Sequence, residues 1–527
     1  MKKLQLFAMA FIAFAMFSCS KDEENGGNTP QVVEGVETYA TFNFNVESGS
    51  IQGRGGSETD DGKTTGKDDV VKDIRIAIFK VGTPSILEYT GVVDVSGANA
   101  NTLEPIKITS GEKRIFVFAN SKILKIFPTL VQGTTTLEQC YASLMNLGQT
   151  ADGKDDISKF TVESITSDAN GFFMSNARSL DSKRSLLPNI SSADSKAGTG
   201  DVTKNNFSFN VYRGVAKVNA RLKDANVKTL KRTDGTTVAT LTDLSYTVRN
   251  INKCVRPVQL FSDINISEKD ILDNGILPQA AYFNAFDGFT DDEMKNKTKF
   301  ESMFYRGNDI DQILQTYADK MNPANSVIVT ENTNARQVIG NTSYLAVKAT
   351  YIPTKLVTAC GYDGTINSGT FTPTEAANTK VATFYSLNLV GLENIGEPGK
   401  GLSNNLFSTE AAAKTLLGLV LAQNKITDPT KIAEQEAKRI KTYTNGVSFY
   451  RLNIGVTYEA GGLNVTNYGI QRNSTYAITI SKINKLGVST EGELDDNPET
   501  PVGTTETYVT ATIVVKAWHA LKQDGEL

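Results

Sequence analysis

Short runs in which apolar and polar residues alternate recur along most of this chain, and a period of two is that of a β-strand with one buried face. KDIRIAIFKV sets Ile74, Ile76 and Ile78 on one side, and KRIFVFANS does the same with Ile115, Val117 and Ala119. GFFMSN (Gly171 to Asn176) follows, then NFSFNVYRGVAKVNARL (Asn206 to Leu222), where Phe207, Phe209 and Val211 alternate and, after Arg213 and Gly214, the alternation resumes with Val215, Val218 and Ala220. A strand this long can leave one sheet and enter the next, which predicts a domain boundary near Arg213. Beyond it, TLTDLSYTVRNI (Thr240 to Ile251), TSYLAVKATYIP (Thr342 to Pro353), KVATFYSLNLV (Lys380 to Val390), GVSFYRLNI (Gly446 to Ile454) and STYAITISKINKLG (Ser474 to Gly487) predict further strands. Turn-rich stretches between such runs suit antiparallel sandwiches.

Helices are few. Thr135 and Glu138 predict a capping box ahead of Leu137, Tyr141, Leu144 and Met145, and Thr290 with Glu293 predicts a helix over Asp291 to Tyr305. A third spans Thr409 to Gln423, and a fourth begins at Pro429 behind the cap Asp428. The apolar stretch Leu416 to Leu421 is too short for a membrane span and is expected as a buried helix on a sheet. The fold class expected is all-β with a few short helices, in tandem antiparallel β-sandwich domains.

The last alternating run sets Val509, Ala511, Ile513, Val515 and Ala517 against Thr510, Thr512, Val514 and Lys516. Before it lies VSTEGELDDNPETPVGTT (Val488 to Thr505), polar, acidic and broken by Gly and Pro, which predicts a flexible linker and so a tethered strand. Near the other end of the chain stands a close copy: ETYATFNFNV (Glu37 to Val46) shares Glu, Thr, Tyr, Thr and Val in register with ETYVTATIVV (Glu506 to Val515). Ala40, Phe42, Phe44 and Val46 then correspond to Val509, Ala511, Ile513 and Val515, so the two strands can fill one and the same slot. The alternative is that the closing run is simply the last strand of its own domain. Trp518 and His519 break the alternation and predict a bulge or a second short strand, an anchor rather than chemistry.

Lys2 and Lys3 precede an apolar run from Leu4 to Phe17, the length of a signal peptide. It ends at Ser18-Cys19, which resembles a lipoprotein signal with Cys19 as the acylated mature N-terminus; SKDEE (Ser20 to Glu24) resembles the acidic export tag of surface lipoproteins in Gram-negative gut and oral bacteria. An ordinary secretory signal with an incidental Cys19 is the alternative. An acyl chain attaches a protein to a membrane without a spanning helix. After the first copy of the strand, SGSIQGRGGSETDDGKTTGKDD (Ser48 to Asp69) has no hydrophobic periodicity and is expected as an exposed loop, with Arg54 between Gly53 and Gly55 open to a trypsin-like protease.

At 527 residues the chain exceeds what one core usually holds, so two domains are expected. The 54 Lys and Arg against 58 Asp and Glu leave no basic field, and nucleic acid is not an expected partner. Beyond Cys19, the remaining Cys140, Cys254 and Cys360 are odd in number and lack metal-ligand spacing. With one histidine, and no nucleophile elbow, phosphate loop, metal cluster or dinucleotide turn, no enzyme activity, cofactor or metal is expected. The Asp-rich turns at Asp60-Asp61 and Asp152 to Asp156 lack the spacing of a calcium loop.

Taken together, the leader, Arg54 in its glycine loop, FNVYRGVAKVNARL, NSTYAITISKINKLG and the closing ATIVVKAWHALKQDGEL resemble the minor-fimbria (Mfa-type) fimbrillins, shaft subunits of type V pili. The resemblance implies two tandem transthyretin-like β-sandwiches, export as an outer-membrane lipoprotein, cleavage of the Arg54-Gly55 bond by an arginine-specific protease, and polymerisation by strand exchange. The expected layout is a signal over 1–19, a propeptide carrying the resident strand over 20–54, domains over 55–213 and 214–487, a linker over 488–505 and a donor strand over 506–527. Expected partners are copies of itself in a head-to-tail filament, accessory tip and anchor fimbrial subunits, and host or bacterial surface receptors. An accessory tip or anchor subunit, and a monomeric glycan-binding lipoprotein, are the alternatives. The energetics favour exchange only after a cut: each buried side chain contributes roughly 1.5–3 kcal/mol in either strand, but the attached resident strand has an effective concentration on the order of millimolar or above.

Overall fold

The computed structural model describes residues 32–46, 70–95, 103–123, 129–140, 166–167, 171–176, 182–197, 200–252, 304–305, 312–313, 315–316, 326–332, 338–362, 371–392, 406–460, 463–470, 472–495, 500–502 and 508–517. The expected all-β class holds. The first domain is built from β1 (Glu37–Val46), β2 (Asp73–Lys80), β3 (Leu87–Asp94), β4 (Ile106–Thr109), β5 (Gly111–Ala119), the short β6 (Met174–Ser175), β7 (Lys183–Leu186) and β8 (Asn206–Arg213). Their order is β3-β2-β5-β6-β8-β1-β4, with β7 also on β5. Ile74, Ile76 and Ile78 are buried as predicted, but so are Ala77 and Phe79 on the opposite side of β2, and Phe116 and Phe118 in β5. Strands inside a sheet covered on both faces lose the simple alternation. Phe79 meets Phe116 edge-on at 6.0 Å, and Phe118 stacks on Phe173 at 6.2 Å.

The expected antiparallel pattern is interrupted by parallel pairings, two of them long and two confined to one or two residues, Arg221–Leu222 with Gln315–Thr316 and Val357 with Phe407. β1 runs parallel to β8, and β9 (Val215–Leu222) runs parallel to β19, the strand over Ser474–Ile483. Both partners are distant in sequence, so no tight hairpin dictates their direction.

The junction near Arg213 is a single continuous path. β8 ends at Arg213, Gly214 donates its N–H to the Phe173 carbonyl at 2.9 Å, and β9 starts at Val215. Val215 closes the first apolar core and Ala216 opens the second. The Arg213 side chain is fully buried and donates to Asn473 Oδ1 at 2.9 Å, while Asn473 N–H donates to the Val215 carbonyl at 2.7 Å.

The second core lies between two sheets. One holds β9, β11 (Val327–Thr330), β19 and β20 (Val509–Ala517); the other holds β10 (Thr237–Arg249), β12 (Tyr344–Pro353) and β18 (Val447–Asn453). A third apolar cluster forms where helix α1 (Glu410–Gln423) packs Leu416, Leu417, Val420 and Leu421 on a sheet of β13 (Lys355–Tyr362), β14 (Phe371–Ala377), β15 (Phe384–Leu387), β16 (Leu406–Phe407) and β17 (Ile440–Tyr443). This is the buried helix on a sheet that the apolar stretch predicted, capped by Thr409, whose hydroxyl accepts from Ala412 N at 3.2 Å. Helix α2 (Pro429–Arg439) starts behind Asp428 as expected.

Several local expectations shift. The capping box is one residue on: Gln139 N donates to Thr136 Oγ1 at 3.1 Å and Thr136 N to Gln139 Oε1 at 2.9 Å, because the Thr135 hydroxyl is taken by Val131 N. The helix predicted over 291–305 lies outside the described residues except at its end, where Phe304–Tyr305 is a strand paired with Ile251–Asn252. The run from Lys380 to Val390 yields only the four-residue β15.

The linker expected over 488–505 is, where described, fastened to the second domain. Val488 and Phe449 exchange both backbone hydrogen bonds at 2.9 Å, Glu491 pairs with Arg249, and Ile339 N donates to the Thr500 carbonyl at 2.9 Å. Leu494 and Val502 are buried. The acidic residues that suggested a solvated tether meet basic partners on the domain surface, Lys441 with Glu493 at 3.5 Å among them.

Tyr351, Tyr443 and Tyr450 are buried in the second core, and burial raises all three phenols above their ordinary value of 10.0, Tyr450 to about 12. A phenol whose folded pKa lies above its unfolded one contributes stability that is complete below pH 10 and drains as pH rises past it. The urea midpoint should therefore stay level up to about pH 10 and then fall, with these three tyrosines still neutral in a 295 nm absorbance titration of the folded protein; a level midpoint through pH 11 contradicts this.

Candidate assembly groove

β1 is shared between two strand edges. Its first four residues pair antiparallel with β4, from Glu37 opposite Thr109 to Ala40 opposite Ile106, and its last six pair parallel with β8, from Thr41 opposite Asn206 to Val46 opposite Val211. It thus closes the first domain by joining two strand edges. Ala40 and Phe42 are 0% exposed and Phe44 is 4% exposed. The Phe42 ring lies 6.2 Å from Phe207, stacked, and 6.2 Å from Phe209, tilted, while the Arg184 guanidinium sits 4.4 Å over Phe209.

Three polar side chains of β1 are anchored as well. Thr38 Oγ1 accepts from Ile190 N at 3.1 Å and from Asn205 Nδ2 at 3.0 Å. Thr41 Oγ1 lies 3.0 Å from Ser195 Oγ, and Asn43 Nδ2 donates to Asn206 Oδ1 at 2.6 Å. Thr38, Thr41, Ser195, Asn205 and Asn206 are all buried, so these bonds are shielded from competing water. Asn205 has a left-handed backbone (φ 52), a conformation asparagine tolerates, and this aims its amide back at β1.

The segment ahead of β1 is latched to the β4–β5 turn. Ser110 Oγ donates to the Val33 carbonyl and accepts from Val36 N at 3.0 Å, and Ser110 N donates to the Val36 carbonyl at 2.7 Å. Gly111 has φ +110, and a Cβ there would meet the Glu34 carboxylate at 1.8 Å, so glycine serves both the turn and the close approach. β4 is held from its other side: Lys113 Nζ lies 2.9 Å from Glu88 Oε2, and Glu88 Oε1 accepts from Thr109 N at 2.9 Å. None of these last contacts involves β1.

The closing strand lies elsewhere. β20 pairs antiparallel with β19, from Ser474 opposite Ala517 to Ile483 opposite Val509, as the last strand in the order of its sheet. The tethered strand expected from sequence is therefore docked on its own domain. Val509 is buried, and Ala511 and Ile513 pack half-buried against the second core; Thr510 and Thr512 are exposed. Within one chain, β1 and β20 belong to different cores and are not brought together. Cys19, Arg54, Gly55, Trp518 and His519 lie outside the described residues; Val46, Val515 and Ala517 are described in their strand register alone.

The polar anchors Thr38, Thr41, Asn43, Ser195, Asn205 and Asn206 were not singled out in the sequence. The signal that could have found two of them is the Thr shared at positions 38/507 and 41/510 of the repeated strand. Replacing Phe42 by alanine should lower the stability of the first domain by about 3–5 kcal/mol, read as a lower urea midpoint at unchanged slope. A loss below about 1 kcal/mol would show that the aromatic slot is not what holds β1.

Two family models match the chain. One, described as major fimbrial subunit protein (FimA), covers residues 40–206, from within β1 to the start of β8. The other, described as the C-terminal part of the major fimbrial subunit protein type IV, fimbrillin, covers residues 441–524 and so takes in β18, β19 and β20. No curated protein matches the chain. Among solved structures, a putative cell adhesion protein from Parabacteroides distasonis ATCC 8503 is 14% identical, covering 92% of this chain and 100% of that one at a TM-score of 0.40. A fimbrilin (fimA) from Porphyromonas gingivalis W83 is 12% identical, with 93% and 99% covered and a TM-score of 0.37. The tip fimbrial protein Mfa3 from Porphyromonas gingivalis is 11% identical, with 92% and 100% covered and a TM-score of 0.31. These superpositions are loose. Major-subunit models thus match both its first domain and its closing strands, and over those two segments the chain is similar to the fimbrillin family of fimbrial structural subunits.

Proposed function

We propose that this chain is a shaft subunit exported as a lipoprotein on Cys19, cut after Arg54 and polymerised by insertion of its closing strand into the slot that β1 occupies in the next subunit. The observation that carries the reading is the position of β1: a strand central to the first core, paired on both sides, precedes the Arg54-Gly55 bond in sequence. A cut there would leave β1 attached only by its pairing and side chains. Loss of β1 would expose the β4 and β8 edges together with Phe207 and Phe209, a slot that binds an extended segment through ladder hydrogen bonds and alternate side-chain pockets.

The asymmetry between the two strands supports the same reading. β1 is paired on both sides and Ala40, Phe42 and Phe44 are buried, whereas among the described residues β20 has β19 as its one neighbour in the sheet and exposes Thr510 and Thr512. The edge strand is the easier of the two to remove, and β1 resists displacement while it stays tethered. The Glu88–Lys113 pair and its bonds to Thr109 keep β4 fixed through the exchange. A head-to-tail contact of this kind does not close on itself and builds a filament, to which accessory tip and anchor subunits add the ends.

N-terminal sequencing of the mature surface protein tests the scheme. It should begin at Gly55; an acylated Cys19 in the assembled material overturns it in favour of an anchor or a monomeric binder. Replacement of Arg54 by alanine should leave the protein folded but unpolymerised, and a chain ending at residue 505 should be cut yet form no heat-stable ladder. Fibres from either variant contradict strand exchange.

A further inference from the structure

The slot carries information about how the incoming strand is aligned. Side chains alternate, so an inserted strand keeps its apolar face inward in registers that differ by two residues, and apolarity alone does not choose between them. The polar anchors of β1 do. Resting on the strand-exchange reading, we infer that the closing strand of a second copy enters with Thr507, Thr510 and Thr512 at the places of Thr38, Thr41 and Asn43, and that these hydroxyls, rather than the apolar pockets, set the register.

In that register a hydroxyl stands at all three polar positions. Thr507 would accept from Ile190 N and Asn205 Nδ2, Thr510 would meet Ser195 Oγ, and Thr512 would donate to Asn206 Oδ1, replacing the bonds β1 makes there. A slip by two residues puts Val509 at the place of Thr38 and Val514 at that of Asn43, which removes the acceptor of Ile190 N and one of the two donors to Asn206 Oδ1, the other being Gly200 N at 2.8 Å. A buried N–H left without its acceptor carries its full desolvation cost, and neighbouring side chains can relax into space beside a small residue but cannot supply a hydrogen bond. The chosen register carries two apolar misfits: Ala511 takes the place of Phe42, leaving room between Phe207 and Phe209, and Val509 takes the place of the fully buried Ala40. The slipped register would fit that pocket better, with Ile513, so the two arrangements make opposite predictions.

Cross-linking distinguishes them. Asn43 lies opposite Ser208, an exposed position on β8, and adjacent strands bring Cα atoms within disulfide reach. In full-length protein with Cys254 and Cys360 replaced by serine, cut and assembled under oxidising conditions, Ser208→Cys with Thr512→Cys should give covalent ladders, and Ser208→Cys with Val514→Cys should not. Ladders from the second pair overturn the register while leaving strand exchange intact. Assembly with ladders from neither pair overturns both. As a second readout, Ala511→Phe should fill the space beside Phe207 and Phe209 and slow dissociation of assembled oligomers in denaturant by at least about tenfold. In the slipped register the same phenylalanine would fall at the closed place of Ala40, and a failure to assemble would overturn the proposal.

Discussion

The first domain depends on one strand that serves two edges. β1 joins β4 to β8, and its side chains are held by rings on one part of its length and by buried amides and hydroxyls on another. Such a strand is integral to the core by every measure of packing, yet it enters the fold from the end of the chain. Among the described residues, a cut between β1 and β2 separates no other strand from the domain. On the strand-exchange proposal, this combination of deep burial and simple connectivity would let one covalent bond decide whether the core is complete.

The second domain is arranged so that its own closing strand is less committed. Among the described residues β20 has one neighbour in its sheet, and the described parts of 488–502 are held on the domain by ion pairs, backbone bonds and the buried Leu494 and Val502. The half-exposed Lys441–Glu493 pair contributes little by itself and weakens with salt, whereas Arg249, paired with Glu491, is buried. Between the two domains, the buried Arg213–Asn473 bond and the Gly214 turn join the cores through adjacent residues of one path, leaving no loose hinge at the junction.

Polar groups buried along β1 add little net stability when satisfied and cost much when orphaned. Their effect is therefore on selectivity. A slot lined only by Phe207, Phe209 and aliphatic side chains would accept many apolar strands in several alignments. Asn205, Asn206 and Ser195 narrow that choice to a strand presenting hydroxyl or amide groups at fixed spacing.

The sequence by itself determined the all-β class, the caps at Thr409 and Asp428, and the kinship of residues 37–46 with 506–515, because each rests on local periodicity, local chemistry or direct identity. It also identified Ala40, Phe42 and Phe44 as an inward set, since alternation fixes which side chains share a face. Only the tertiary structure decided that β1 and β8 run parallel, that β2 and β5 are buried on both faces, and that the closing strand docks on β19, because pairing direction and partner depend on elements outside the local sequence. The acidic stretch after Val488 misled for the same reason: composition reports what a segment would do alone, whereas Arg249 and Lys441, distant in sequence, supply the charges that hold it.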